Sequence, residues 1–353
     1  MHAGQLFVRS NEPSGHASYV HLTSAVAGRF AQSDFQIKNK EIIKMDKVKN
    51  VVICGAGMMG NMIALVFSSC PDFNITVWNR REKPCKEVIK ANLEQLRDKG
   101  IITDAEIADR LSRINFVFPN KGKEFAEADL VIECVAEVME TKQDLFAELE
   151  GICREDCIFA TNTSVMSPTE IASKCVHKER VVGTHFWNPG HLIPLVEVVK
   201  TKDTTEEVMQ LTIDALTRAG KKPIYCKKDV PGFVANRMQH ALWREAISIV
   251  EQGIADPKTV DDAVKYSFGL RLPQLGPIEN SDMVTTQLTY NIHSYVLKYL
   301  ADNHEPSPIL KQMLDEGKNG FPAGEGFMKW DEESIAKSKK DLNEYLIKMV
   351  YGK

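Results

Sequence analysis

Residues 49–81, KNVVICGAGMMGNMIALVFSSCPDFNITVWNRR, restrict the fold more than any other stretch of this 353-residue chain. Val51, Val52 and Ile53 form a short β-branched run of the kind that builds a buried parallel strand. Gly55, Gly57 and Gly60 then spell G-x-G-x-x-G. The first glycine permits a tight turn, the second lets the backbone approach a pyrophosphate, and the third lets the next helix pack on the strand. A helix over about 59–69 presents its N-terminus to the phosphates, where free N–H groups and the helix dipole favour an anion. A second strand, Ile75 to Trp78, follows. The motif therefore sits in a strand–turn–helix–strand context, which points to dinucleotide binding.

The end of the second strand bears on which dinucleotide. A carboxylate there accepts hydrogen bonds from a ribose 2′-hydroxyl, whereas basic residues suit a 2′-phosphate. The position is Asn79, followed by Arg80 and Arg81, with Glu82 three residues late. Two guanidiniums offer bidentate contacts to a phosphate dianion. The expectation is NADP(H), with NAD(H) as the alternative.

The remaining chain alternates strands and helices up to Asp229-Val230-Pro231-Gly232, where a domain boundary is expected. Strands are read at 114–118, 130–135, 157–161, 180–184, 195–199 and 222–226. A helical hairpin over 84–114, broken at Gly100, is inserted before the third strand and is a candidate wall over the substrate. Beyond residue 230 the reading is all helical, over 233–252, 257–268, 285–303, 308–317 and 332–349, with loops at 269–277 and 320–326. The domains are therefore 45–229, dinucleotide-binding, and 230–353, a helical substrate and dimerisation domain. Residues 1–44 are Ser-, Gly- and His-rich with few periodic apolar positions. A transit peptide is one reading. The favoured one makes Met45 the start of a bacterial protein, since codons for the Lys40-Glu41 pair can spell a ribosome-binding site. A native peptide spanning Met45, seen by mass spectrometry, would sink it.

A chain that is 43% hydrophobic with net charge −4 carries no basic excess for nucleic acid or anionic lipid. No apolar run approaches the roughly 20 residues of a membrane span. The eight cysteines include no C-x-x-C pair, and Cys153 and Cys157 lack His or Cys partners for zinc. They read as free thiols in a reducing cytoplasm, with no metal site.

Polar residues at strand ends are the site candidates, because ligands bind at the carboxyl ends of strands in such sheets. Glu137 and Lys142 follow the strand at 130–135, and Asn162-Thr163-Ser164 follows that at 157–161. Ser167, before Pro168 and three residues from Glu170, is assigned to helix capping. His185 ends the strand at 180–184, and Glu197 interrupts the apolar run Leu-Val-Glu-Val-Val. An acid in that setting needs a partner. Placed across adjacent strands, a carboxylate fixes an imidazole tautomer and raises its basicity.

These residues resemble the 3-hydroxyacyl-CoA dehydrogenase family over about 48–330. The matching signatures are GAGMMG, Glu137 with Lys142, NTS at 162–164, HFWNP with Glu197, PGFVANR at 231–237 and LGPIE at 275–279. The resemblance implies a Rossmann-type NAD(P)-binding domain followed by an all-α domain that mediates homodimerisation, with the active site between them. It implies His185 as general acid/base, Glu197 orienting it, and Ser164 and Asn236 holding the substrate oxygen. With the strand-end reading of Asn79, Arg80 and Arg81, the expected cofactor residues are Gly55, Gly57, Met58, Met59, Gly60, Asn79, Arg80, Arg81, Glu137, Lys142 and Asn162. The expected reaction is hydride exchange between a nicotinamide and C3 of a 3-hydroxyacyl-CoA. Three departures stand out: Asn79 where an acid is usual, Gly190-His191 after HFWNP, and the polar run 280–286 after LGPIE. The last two point to a polar head group, with His191 facing substrate, so a dehydrogenase of a free polar 3-hydroxy acid is the second reading. A non-catalytic dinucleotide-binding protein is the third.

Overall fold

The computed structural model describes residues 48–352, so the expectation for residues 1–44 lies outside them. Eight strands form one sheet in the order β3-β2-β1-β4-β5-β6-β7-β8. They are β1 (Asn50–Cys54), β2 (Asn74–Trp78), β3 (Ile114–Val117), β4 (Leu130–Glu133), β5 (Ile158–Thr161), β6 (Val181–Phe186), β7 (Leu195–Lys200) and β8 (Lys222–Cys226). All neighbours run parallel except β6 and β7. The antiparallel step follows from chain economy: a short loop joins β6 to β7 without a crossover helix. The strand interiors are buried on both faces, which explains their continuous apolar runs.

The first βα unit is built as its glycines dictate. A Cβ on Gly55, whose φ is +117°, would lie 2.5 Å from the Cys134 carbonyl oxygen. One on Gly60 would lie 1.8 Å from the Gly55 oxygen, whereas one on Gly57 would meet open space. Two glycines are thus demanded by the chain's own packing and the middle one leaves room for something else. Gly60→Ala is expected to abolish dinucleotide binding and lower the melting temperature, as checked by cofactor fluorescence titration and calorimetry.

Helix α1 (Met58–Phe67) starts at Gly57 with no side-chain cap. The hairpin α2 (Cys85–Asp98) and α3 (Asp104–Ser112) turns at Gly100, φ +66°. Thr103 and Glu106 close a reciprocal capping box on α3. A one-turn helix α4 (Lys123–Ala126) precedes β4, and α5 (Met139–Glu150), α6 (Pro168–Ile171) and α7 (Glu206–Arg218) follow β4, β5 and β7.

The helical part comprises α8 (Ala235–Glu251), α9 (Pro257–Lys265), α10 (Phe268–Arg271), α11 (Pro277–Met283), α12 (Thr286–Val296), α13 (Pro308–Asp315) and α14 (Glu332–Tyr351). Helices α10 and α11 occupy residues expected to be loop or left unassigned. Pro277 and Gly276 are a helix start, with Pro at the first turn, rather than a stop. The polar run 280–286 has an architectural use: Ser281 Oγ donates to Thr289 Oγ1 at 3.1 Å, and Thr285 caps α12. Among the described residues, no helix is long and apolar enough to cross a membrane. All eight cysteines are unpaired.

Candidate active site

Strand register brings the central pair together. His185 on β6 and Glu197 on β7 are direct cross-strand partners. His185 Nδ1 lies 2.8 Å from Glu197 Oε2. Both side chains are buried. Glu197 Oε1 accepts the backbone N–H groups of Val234 and Ala235, each at 2.9 Å. Those amides open α8, so the helix N-terminus faces the carboxylate. Burial alone would raise the Glu197 pKa, but His185 and the two amides hold it below the usual carboxylate range. A charged carboxylate accepts and cannot donate, so Nδ1 carries the proton in neutral His185. Nε2 has no hydrogen-bond partner among the described residues and is free to exchange a proton. The imidazole sits between Trp187 and Phe233, with ring centroids 5.4 and 5.7 Å away. Phe233 reaches that position with φ at +47°, a strained conformation for a bulky residue.

Asn236, in the first turn of α8, donates through Nδ2 to the Ser164 carbonyl at 3.0 Å. It has a second N–H to offer. Ser164 is exposed, and its own N–H goes to Glu137 Oε1 at 3.1 Å. Asn162 Oδ1 accepts from Phe186 N at 2.9 Å, tying the ends of β5 and β6. The ends of β5 and β6, the facing residue of β7 and the start of α8 thus hold two hydrogen-bonded pairs, His185 with Glu197 and Asn236 with Ser164, joined along the first turn of α8.

Lys142 is placed differently from the expectation that it faces the cofactor. Its side chain is 1% exposed, with Nζ 2.7 and 2.9 Å from the two oxygens of Glu133 and 3.1 Å from Glu137 Oε2. Glu133, wholly buried at the end of β4, also accepts from Thr161 Oγ1 and Val135 N. The nearby Glu133 charge keeps the Lys142 pKa above its ordinary value despite burial. Glu137 carries the network outward: it is half-exposed and also accepts from the Thr163 hydroxyl. Lys142 therefore fixes Glu137 rather than lining the cleft itself. Glu133 escaped the sequence reading although it carries the same signal as Glu197, an acid within an apolar strand.

The dinucleotide side is open. A cavity of about 390 Å³ lies against Ala56, Gly57, Met58, Asn61, Met62 and Lys83. Met59 packs below, toward Gly190. Asn79 Oδ1 accepts from Ala56 N at 3.2 Å and Nδ2 donates to the Arg81 carbonyl at 2.6 Å, so this carboxamide braces the glycine turn. Arg80 and Arg81 are exposed, and neither forms an ion pair among the described residues. The uncapped α1 N-terminus, the space at Gly57 and these arginines fit a dinucleotide phosphate chain.

His191 is not brought to His185. It is buried against Lys221 in a separate pocket that His185 does not line. Burial, helped by the Lys221 charge, pushes its pKa down to about 4. An unfolded His titrates near 6.5, so between about pH 6.5 and 4 the unfolded chain binds the extra proton and stability falls on acidification. The loss attributable to His191 amounts to about 3 kcal/mol at pH 4. Urea unfolding at pH 7 and pH 4 is expected to show His191→Gln losing less stability than wild type by about that amount.

The glycine turn, the mostly parallel sheet and the helices that follow it are the frame of a dinucleotide-binding protein. Family descriptions settle the class further: residues 50–230 match "3-hydroxyacyl-CoA dehydrogenase, NAD binding domain" and residues 232–330 match its "C-terminal domain". A probable 3-hydroxybutyryl-CoA dehydrogenase of Deinococcus radiodurans is 34% identical over 282 residues, covering 79% of this chain and 99% of that protein. The 5-formyl-3-hydroxy-2-methylpyridine 4-carboxylate 5-dehydrogenase of Mesorhizobium japonicum is 33% identical over 60% of this chain and 69% of its own. A solved structure of such a pyridine-carboxylate dehydrogenase, described as an NAD+ dependent dismutase, superposes with TM-score 0.79 at 27% identity, over 87% of this chain and 99% of that one. The (S)-3-hydroxybutyryl-CoA dehydrogenase of Ralstonia eutropha gives TM-score 0.67 at 27% identity, over 81% and 100%. The chain belongs to the 3-hydroxyacyl-CoA dehydrogenase family.

Proposed function

We propose that the protein interconverts a 3-hydroxyacyl-CoA and its 3-oxoacyl-CoA, with His185 as the acid/base. The observation that carries this reading is the fixed tautomer of His185. Glu197, charged and locked by two backbone amides, holds the Nδ1 proton and leaves Nε2 bare. Bound along the glycine turn, a nicotinamide supplies the hydride acceptor or donor for C3. In oxidation, Nε2 takes the 3-hydroxyl proton and Glu197 stabilises the resulting imidazolium. In reduction the imidazolium returns that proton. The Ser164 hydroxyl and the second Asn236 N–H hydrogen-bond the substrate oxygen and polarise the carbonyl.

The unpaired Arg80 and Arg81 favour a 2′-phosphate, hence NADP(H); the relative named as NAD+ dependent supports NAD(H) instead. Free thiols fit a reducing cytoplasm. Large exposed apolar side chains on the helical part, among them Trp243, Tyr266, Leu270, Ile278 and Tyr290, support a homodimer.

The decisive experiment compares initial rates of reduction of acetoacetyl-CoA and free acetoacetate, each with NADH and NADPH. Fast turnover of the thioester supports the proposal, and the cofactor ratio decides the reading of Arg80 and Arg81. A second reading, a free polar acid as substrate, is favoured by the higher TM-score to the pyridine-carboxylate enzyme. It predicts turnover without CoA. No turnover of any 3-hydroxy compound, with cofactor still bound, would favour a non-catalytic protein.

A further inference from the structure

Helix α14 lies beyond the residues matched by the two family descriptions. It packs back on the α2–α3 hairpin. Lys99 pairs with Glu344 at 2.8 Å, and Ile347 is buried in the same core cluster as Leu96, Ile102 and Ile107. Its last turn, with Val350 and Tyr351, helps to enclose a cavity of about 280 Å³. Leu65 and Val66 of α1, Ile101 and Ile102 of the hairpin, and Leu192 supply further apolar walls.

The polar lining carries two cations, Lys221 and Arg110, against one acid, Glu106. Lys221 is 8% exposed and donates to the carbonyls of Gly190 and Ile193 at 2.5 and 2.8 Å. No carboxylate among the described residues lies within ion-pair distance of it, and burial lowers its pKa to about 8. Arg110 likewise forms no ion pair among those residues. The lining acid, Glu106, is engaged by the N–H and hydroxyl of Thr103 at 2.8 and 2.9 Å and also feels the Arg110 charge. His191 is 8% exposed, and its Nδ1 is sealed from solvent with no partner. Buried charges and polar groups left uncompensated are costly. An apolar-walled cavity that holds a buried lysine with no carboxylate partner, and a partly buried arginine beside it, suits an anion with a hydrocarbon body. Its volume, near the lower end for small-molecule pockets, sets the size.

We propose that this pocket is a second ligand site, separate from the His185–Glu197 site, and that it takes a small aliphatic carboxylate. Lys221 and Arg110 answer the charge, and the tail lies against Leu65, Val66, Ile102 and the His191 ring. The site touches the loop that joins β6 to β7. Gly190 in that loop also contacts α1 through Met62 Sδ, 3.2 Å from its N–H. An occupant therefore bears on the segment between the His185 and Glu197 strands.

The test is calorimetric titration of the full chain with hexanoate, and with hexanamide as the uncharged probe. Saturable one-to-one binding of hexanoate and none of hexanamide is expected. Arg110→Ala is expected to weaken binding about tenfold or more, the loss of one charge-assisted contact. His191→Phe, which fills the cavity, is expected to abolish it. Lys221 clamps a loop, so its removal risks the fold, and the test rests on the other two variants. His185→Gln is expected to leave hexanoate binding unchanged. Absence of binding at millimolar hexanoate overturns the proposal. So does binding that survives both Arg110→Ala and His191→Phe, or binding lost in His185→Gln, which would place hexanoate at the His185 site.

Discussion

His185→Gln is expected to lower turnover by about 10²- to 10⁴-fold, the usual contribution of a positioned acid/base. The effect should fall on kcat, because His185 touches neither the glycine turn nor Arg80 and Arg81. The Kd for the reduced cofactor, read by fluorescence, should stay within a factor of about two. Glutamine occupies a similar space and can still donate to Glu197, so Glu197 keeps a partner and the fold should survive. A companion change separates proton transfer from packing. Glu197→Gln removes the charge that stabilises imidazolium, and the two α8 amides then face a neutral oxygen or a clashing NH₂ group. Turnover of His185→Gln within tenfold of wild type would remove His185 from the acid/base role and reopen the question of what moves the proton.

Much of the site was legible because it rests on local rules. The glycine turn follows from steric demands that any sequence must meet, and Gly55 and Gly60 meet them. The spacing of His185 and Glu197 reads as a hairpin register once both strands are assigned, and the register pairs them. What stayed hidden depends on which way a polar side chain turns once its element is packed. Lys142 looked like a free cation at a helix start, yet the strand pairing of β4 with β5 sinks Glu133 and Thr161 beside it. His191 looked like a second imidazole for the substrate because it is near His185 in sequence. The loop after β6 turns over α1 and buries it near Lys221 instead. The polar run after LGPIE looked like a substrate surface, but Ser281 and Thr285 serve the α11–α12 junction. In each case a polar residue with a structural partner was assigned to a ligand. The counter-signal was present for Glu133, since an acid inside Leu-Val-Ile-Glu requires a buried cation as much as Glu197 requires His185.

Lys142→Met is expected to cost about 3–5 kcal/mol, the penalty for leaving one member of a buried ion pair uncompensated. Glu133 is wholly buried, and losing Lys142 leaves it only the Thr161 hydroxyl and the Val135 amide. Burial already raises the Glu133 pKa, and losing Lys142 raises it further, so proton uptake limits the loss on acidification and the cost should be larger at pH 8 than at pH 5.5. The double variant Glu133→Gln/Lys142→Met removes the charge altogether, and a neutral amide can still pair with Thr161. It is expected to recover most of the lost stability, because a matched replacement of a buried pair is often neutral. Urea unfolding of the single and double variants measures both effects. A single variant within about 1 kcal/mol of wild type would show that Glu133 is already protonated in the folded protein, and Lys142 would then owe its place to Glu137 alone.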